Sequence, residues 1–221
     1  MEATRQIYWN VGHGVVIPMY IMAFAAFGCI AWGFKQRLPI WRQGKALDRF
    51  DRFGERLRRM LGEVLFQTKV SRVTDGGLYH SIFFWSFLFL FIGTLLVMLQ
   101  ADFLTPLFQL NILSGDFYRA YSLILDIAGI AGILMLAGFF IRRFFIKPKG
   151  LESVRDDYVL LPLLFAILIT GFLIEGARMA ATELQQNPDL ARFSPGGLLA
   201  GQLFASLPPA SQLAAHTTLW W

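Results

Sequence analysis

Three histidines, His13, His80 and His216, are the only imidazoles in a chain of 221 residues, and each stands at one end of an apolar run. Imidazole ligates metals through either ring nitrogen and changes charge near neutral pH. An ionisable group at the edge of a membrane span is costly enough to point to function. Taken singly, each histidine reads equally well as an interfacial residue bonded to water and headgroups. His13, in WNVGHGVV, and His216, in AAHTTLWW, fall at one predicted depth, so together they can fill both axial positions of one haem iron between facing helices. His80, in GGLYHSIFFW, falls at the other level, about 30 Å away, and finds no histidine partner there within the chain.

A second group collects at the level of His13 and His216. Asp126 is set into the third apolar run, and Glu175 and Arg178 close the fourth as ITGFLIEGARMA. A carboxylate in an apolar helix is suited to relaying protons, because desolvation favours its neutral form, and quinone chemistry needs such a group. The alternatives are a helix-packing contact for Asp126 and an ordinary ion pair at three-residue spacing for Glu175 and Arg178. Arg178 can also neutralise a haem propionate.

The elements that must position these groups follow from composition. Hydrophobic residues make up 56% of the chain and charged residues 16%, against roughly 25% charged in soluble domains. About 20 apolar residues cross a bilayer as a helix, and runs at 15–34, 81–99, 121–141 and 158–174 qualify. A fifth opens at Ala214 and stops at Trp221. The predicted class is all-α, a polytopic transmembrane helix bundle with four complete spans plus the start of a fifth. One cysteine excludes a disulfide framework and an iron–sulfur cluster, which takes about four ligands. No Walker A or Rossmann fingerprint is present, no Ser-His-Asp set can be assembled, and no nucleic-acid partner is expected.

Lys and Arg crowd the segments after the first and third runs, among them Lys35, Arg37, Arg42 and Arg56, then Arg142, Arg143 and Lys147. The excess of positive charge in cytoplasmic loops places both segments inside and the N-terminus outside. The segment 34–77 is then a cytoplasmic amphipathic helical loop, with Leu47, Phe50, Leu57, Met60, Leu61, Val64 and Leu65 at three- and four-residue steps. Such a helix lies on an anionic inner leaflet or serves as a docking platform for a soluble partner. The segment 177–213, with Pro188, Pro195, Pro208 and Pro209, reads as an outer loop holding at most short helices.

The stretches LYHSIFFWSFLFLFIGTLL, IEGAR, HTTLWW and RFGERLRRMLGEVLFQTKV together resemble the membrane cytochrome b family of the respiratory nitrate reductase gamma subunit. They are closer still to the related membrane parts of heterodisulfide-reductase-like iron–sulfur oxidoreductases, and the resemblance spans most of the chain. It implies two b-type haems, one near each membrane face, with His80 as an inner-haem ligand and His216 as an outer-haem ligand. It also implies electron transfer between menaquinone or ubiquinone and a cytoplasmic iron–sulfur domain or flavoprotein, in a bacterial or archaeal cytoplasmic membrane. The chain departs from the pattern at Leu90, where the nitrate reductase family has a second histidine in this span. The inner-haem ligand of the fifth helix is expected beyond Trp221, and His13 substitutes by depth for the missing outer one.

Residues 1–221 are accordingly expected to form a lipid-embedded, quinone-linked electron-transfer oxidoreductase domain, inactive alone, with haem b as cofactor and Asp126 and Glu175 in proton transfer. Two other functions compete: a cofactor-free membrane anchor for a cytoplasmic partner, and a small proton-coupled transporter using the same two carboxylates.

Overall fold

The computed structural model describes residues 4, 7–45, 51–72, 74–148 and 154–220; the side chains of residues 13, 74 and 75 fall outside that set. The described residues form helices and no strand. Four helices are long and apolar enough to cross a membrane, Gly14–Trp41, Gly76–Phe108, Gly115–Ile146 and Arg155–Gln186. These are the four expected spans, each longer than its apolar run. A helix satisfies its backbone polar groups internally, so an apolar run bound for lipid takes this form.

The chain divides into two compact units, Val11–Thr68 and a larger one made of Met1–Asn10 with Lys69–Trp221. The smaller unit holds α1 (His13–Trp41) and α2 (Phe53–Leu65). On α2, Leu57, Met60, Leu61 and Val64 form an exposed apolar stripe, while Arg59 pairs with Glu63 one turn on, at 2.9 Å. Leu47 and Phe50, expected on the same stripe, lie outside the described residues.

In the larger unit, α3 (Thr74–Met98) runs through a wider π-type stretch, Leu99–Leu104, into a single turn, α4 (Thr105–Phe108). Two long helices follow, α5 (Gly115–Ile141), which ends in a π-type turn Arg142–Ile146, and α6 (Arg155–Ala181). The segment after α6 holds α7 (Glu183–Gln186), α8 (Pro188–Ala191) and α9 (Pro195–Ala205), and the last helix is α10 (Pro209–Trp220). Proline opens three of these helices. Its fixed φ suits the first helical position, where its missing N–H is not needed.

Helix α5 packs against α3 on one side and α6 on the other, and α9 and α10 pack on α6. Small residues set these distances, as is usual in membranes. A Cβ added to Gly176 would stand 2.6 Å from the carbonyl carbon of Ala200, so α6 and α9 touch backbone to backbone. One added to Gly129 would meet the Phe172 ring at 2.8 Å. The N-terminal segment is tied down at two places. Thr4 donates its hydroxyl to the Leu113 carbonyl at 3.1 Å, and the Asn10 amide donates to the Leu213 carbonyl and Thr217 hydroxyl, each at 3.1 Å.

Candidate functional site: a cleft over α5 and the carboxylate cluster at its end

A cavity of about 450 Å³ lies over α5, with α3 and α6 as its walls. That volume is in the range of small-molecule sites. Leu90 and Val97 of α3, Leu125 and Gly129 of α5, and Ile167, Leu168 and Phe172 of α6 make it apolar. Its polar groups are Thr94, Tyr118, Tyr121, Ser122, Asp126 and Glu175, and most of them gather where α5 begins and α6 ends. This is the α9 end of the unit.

The two carboxylates of the cleft are held differently. Asp126, 3% exposed, accepts the backbone N–H of Gly196 at 2.7 Å and of Gly197 at 2.9 Å. It therefore caps the N-terminus of α9 from a neighbouring helix, satisfying two of the donors a helix leaves open at its start. Glu175 accepts instead from the Ser194 hydroxyl at 3.3 Å, and Ser194 lies 2.6 Å from the Ser122 hydroxyl. A row of groups thus runs from the cleft through Ser122 and Ser194 to Glu175.

Arg178 is buried beside them. Its Nη1 donates to Glu183 Oε1 at 2.7 Å, and its Nη2 stands 3.7 Å from Glu175 Oε1. Glu183 is itself 8% exposed, so the guanidinium and this carboxylate neutralise each other out of water. Arg178 and Glu175 do stand together as the three-residue spacing suggests, but the shorter bond goes to Glu183.

A second, smaller cavity, about 160 Å³, is lined by Tyr8, Trp9, Gly171, Ile174, Glu175, Arg178, His216 and Trp220. Gly171 and Glu175 line both cavities and form their common wall. His216, 2% exposed, meets Trp9 edge-on with ring centroids 5.0 Å apart. Its Nε2 accepts the indole N–H of Trp220 at 3.3 Å. The structure thus brings together Glu175, Arg178 and His216, with Asp126 at the other cavity. It places His80 elsewhere, exposed on the first turns of α3. His13 opens α1 in the other unit, and its side chain lies outside the described residues.

No group of three or more His, Cys, Asp or Glu side chains able to hold a metal occurs among the described residues. A haem needs less: an axial imidazole, aromatic or aliphatic walls, and cations for its propionates. His216, Trp9, Trp220 and Arg178 are residues of those kinds, but the cavity they line, about 160 Å³, would have to widen to take a porphyrin, Arg178 is already paired with Glu183, and the His216 Nε2 lone pair is engaged by Trp220.

Sequence reasoning did not reach Glu183, Ser122, Ser194 or Trp9. Glu183 stands five residues from Arg178, off the spacing that marks helical ion pairs. Trp9 and Ser194 lie outside the apolar runs and are brought in by long-range contacts. The available signal was balance: a buried arginine requires a buried carboxylate nearby.

No family model matches the chain, and no solved structure matches it. Among curated proteins it is similar to the EtfAB:quinone oxidoreductase of Syntrophomonas wolfei subsp. wolfei (strain DSM 2245B / Goettingen), with 30% identity over 213 residues. The match takes in 92% of this chain and 29% of the relative's length. The chain is thus related, along nearly all of its own residues, to less than a third of a quinone oxidoreductase.

Proposed function

We propose that this chain is the quinone-interacting membrane domain of an electron-transfer oxidoreductase, taking a menaquinone or ubiquinone ring into the cleft over α5. The carrying observation is the cleft itself: apolar along its length and closed at one end by Glu175, Ser122 and Asp126. A lipophilic ring with two oxygens matches that pattern, its tail left in the apolar part and its ring at the polar end. The similarity to the EtfAB:quinone oxidoreductase supports the reading. Of the two carboxylates, Glu175 is suited to carry a proton, whereas Asp126 holds α9 in place.

The finer parts of the proposal concern cofactor, orientation and partner. His216 would hold the iron of one haem b, for which the sequence offers His13 as the second ligand, and His80 that of a second haem, with Arg178 near a propionate. When bound, haem supplies one-electron transfer between the quinone and the next centre. The resemblance to nitrate reductase gamma and heterodisulfide-reductase-like membrane subunits supports these assignments. The Lys- and Arg-rich segments face the cytoplasm and place the N-terminus outside. There, α2 would meet anionic lipid and a cytoplasmic iron–sulfur domain or flavoprotein.

The test is a titration of tail-less naphthoquinone and benzoquinone analogues into the purified protein in detergent, followed by tryptophan fluorescence. Saturable binding at one site per chain is expected for the oxidised or the reduced form, and no saturable binding of either analogue in either form overturns the quinone reading. For the haem, dithionite-reduced minus oxidised spectra of protein made with ample haem should show b-type bands that weaken in His216→Ala. Their absence from the unmutated protein overturns that part alone.

A further inference from the structure

We infer that the cleft selects the reduced, hydroxyl-bearing form of its quinone and takes up one of its protons through Ser122, Ser194 and Glu175. This deepens the proposed function and rests on it. The argument is a count of donors. Each serine, threonine or tyrosine hydroxyl has one hydrogen to give, while a carboxylate has none. Thr94 gives its hydrogen to the Leu90 carbonyl at 3.0 Å, and Tyr121 gives its own to the Gly93 carbonyl at 3.1 Å. Ser194 gives its hydrogen to Glu175, so the 2.6 Å contact with Ser122 is made by the Ser122 hydrogen. Asp126 already takes the N–H groups of Gly196 and Gly197.

Five of the six polar side chains on the cleft wall therefore have lone pairs but no uncommitted hydrogen to offer a ligand; Tyr118 is the sixth. A quinone carbonyl only accepts hydrogen bonds, and lone pair against lone pair leaves both oxygens unsatisfied. A quinol hydroxyl donates, and Ser122 and Glu175 stand ready to accept. The proton step follows the same row. The quinol O–H bond breaks with its electron pair staying on the ring oxygen, and the proton goes to Ser122. Ser122 passes its own hydrogen to Ser194, and Ser194 passes its own to Glu175, which becomes a neutral carboxylic acid. No electron leaves the ring in this step, which yields the quinol anion. Glu175 is the catalytic acceptor; Ser194, which does not line the cleft, is a positioning residue.

The experiment compares equilibrium binding of the quinol and quinone forms of one tail-less naphthoquinone, under anaerobic conditions, to the full protein. The quinol is expected to bind about tenfold more tightly or better, the effect of a hydrogen bond to a charged acceptor. In Glu175→Gln, whose amide brings N–H donors, that ratio should fall to one or below, and Ser194→Ala should lower it partway. Equal or tighter binding of the quinone by the unmutated protein overturns this inference while leaving the quinone site standing. So does an unchanged ratio in Glu175→Gln. Failure of both forms to bind overturns the proposed function itself.

Discussion

The Asp126 carboxylate on α5 accepts the backbone N–H of Gly196 on α9 at 2.7 Å, so a residue inside a membrane-spanning helix caps a helix lying outside its own element. Capping by a side chain is worth about 1–2 kcal/mol when removed. Asp126→Ala should lower stability by that amount in denaturant melts, and speed amide exchange at Gly196 and Gly197 ahead of the rest of α9. Unchanged exchange at those two amides would contradict the cap.

Arg178 and Glu183 form a buried pair, and removing one partner strands the other charge. Arg178→Met should cost about 3–5 kcal/mol, whereas the double change with Glu183→Leu should recover most of it. The comparison is made by denaturant unfolding in detergent. A double variant as unstable as the single one would show that Glu183 is not what the guanidinium serves.

The backbone contact between α6 and α9 at Gly176 leaves no room for a side chain. Gly176→Val should cost about 1–3 kcal/mol by overpacking and displace α9. Crosslinking between cysteines placed on α6 and α9 reads the displacement, and undiminished crosslinking would count against it.

Gly171 is the opposite case. Nothing lies within 4 Å of a Cβ built there, although the residue lines both cavities. Gly171→Leu should therefore leave the melting temperature within about a degree or two, a cost under 0.5 kcal/mol. It should weaken binding of a quinol analogue more than tenfold by filling the space. Retained affinity would place the ligand elsewhere.

The long helices were legible because hydropathy acts locally: the apolar runs that hold Leu90, Leu125 and Leu168 each become a span. The prolines of the segment 177–213 predict a loop with at most short helices. The segment contains the end of α6 and an 11-residue helix, α9, that closes the site. Pro195 starts a helix, whereas composition registers proline as a helix breaker. Glu175, Arg178 and His216 were singled out from the sequence because ionisable groups stand out against apolar neighbours. Their partners Glu183, Ser194 and Trp9 were not, since a contact such as Trp9 with His216 depends on tertiary placement that no periodicity encodes.

Glu175 and Glu183 flank the Arg178 guanidinium, and the Asp126 carboxylate nearby accepts the peptide N–H groups of Gly196 and Gly197. The polar end of the cleft thus carries more carboxylates than cations in surroundings that screen poorly. An anion would meet repulsion there that an uncharged lipophile does not.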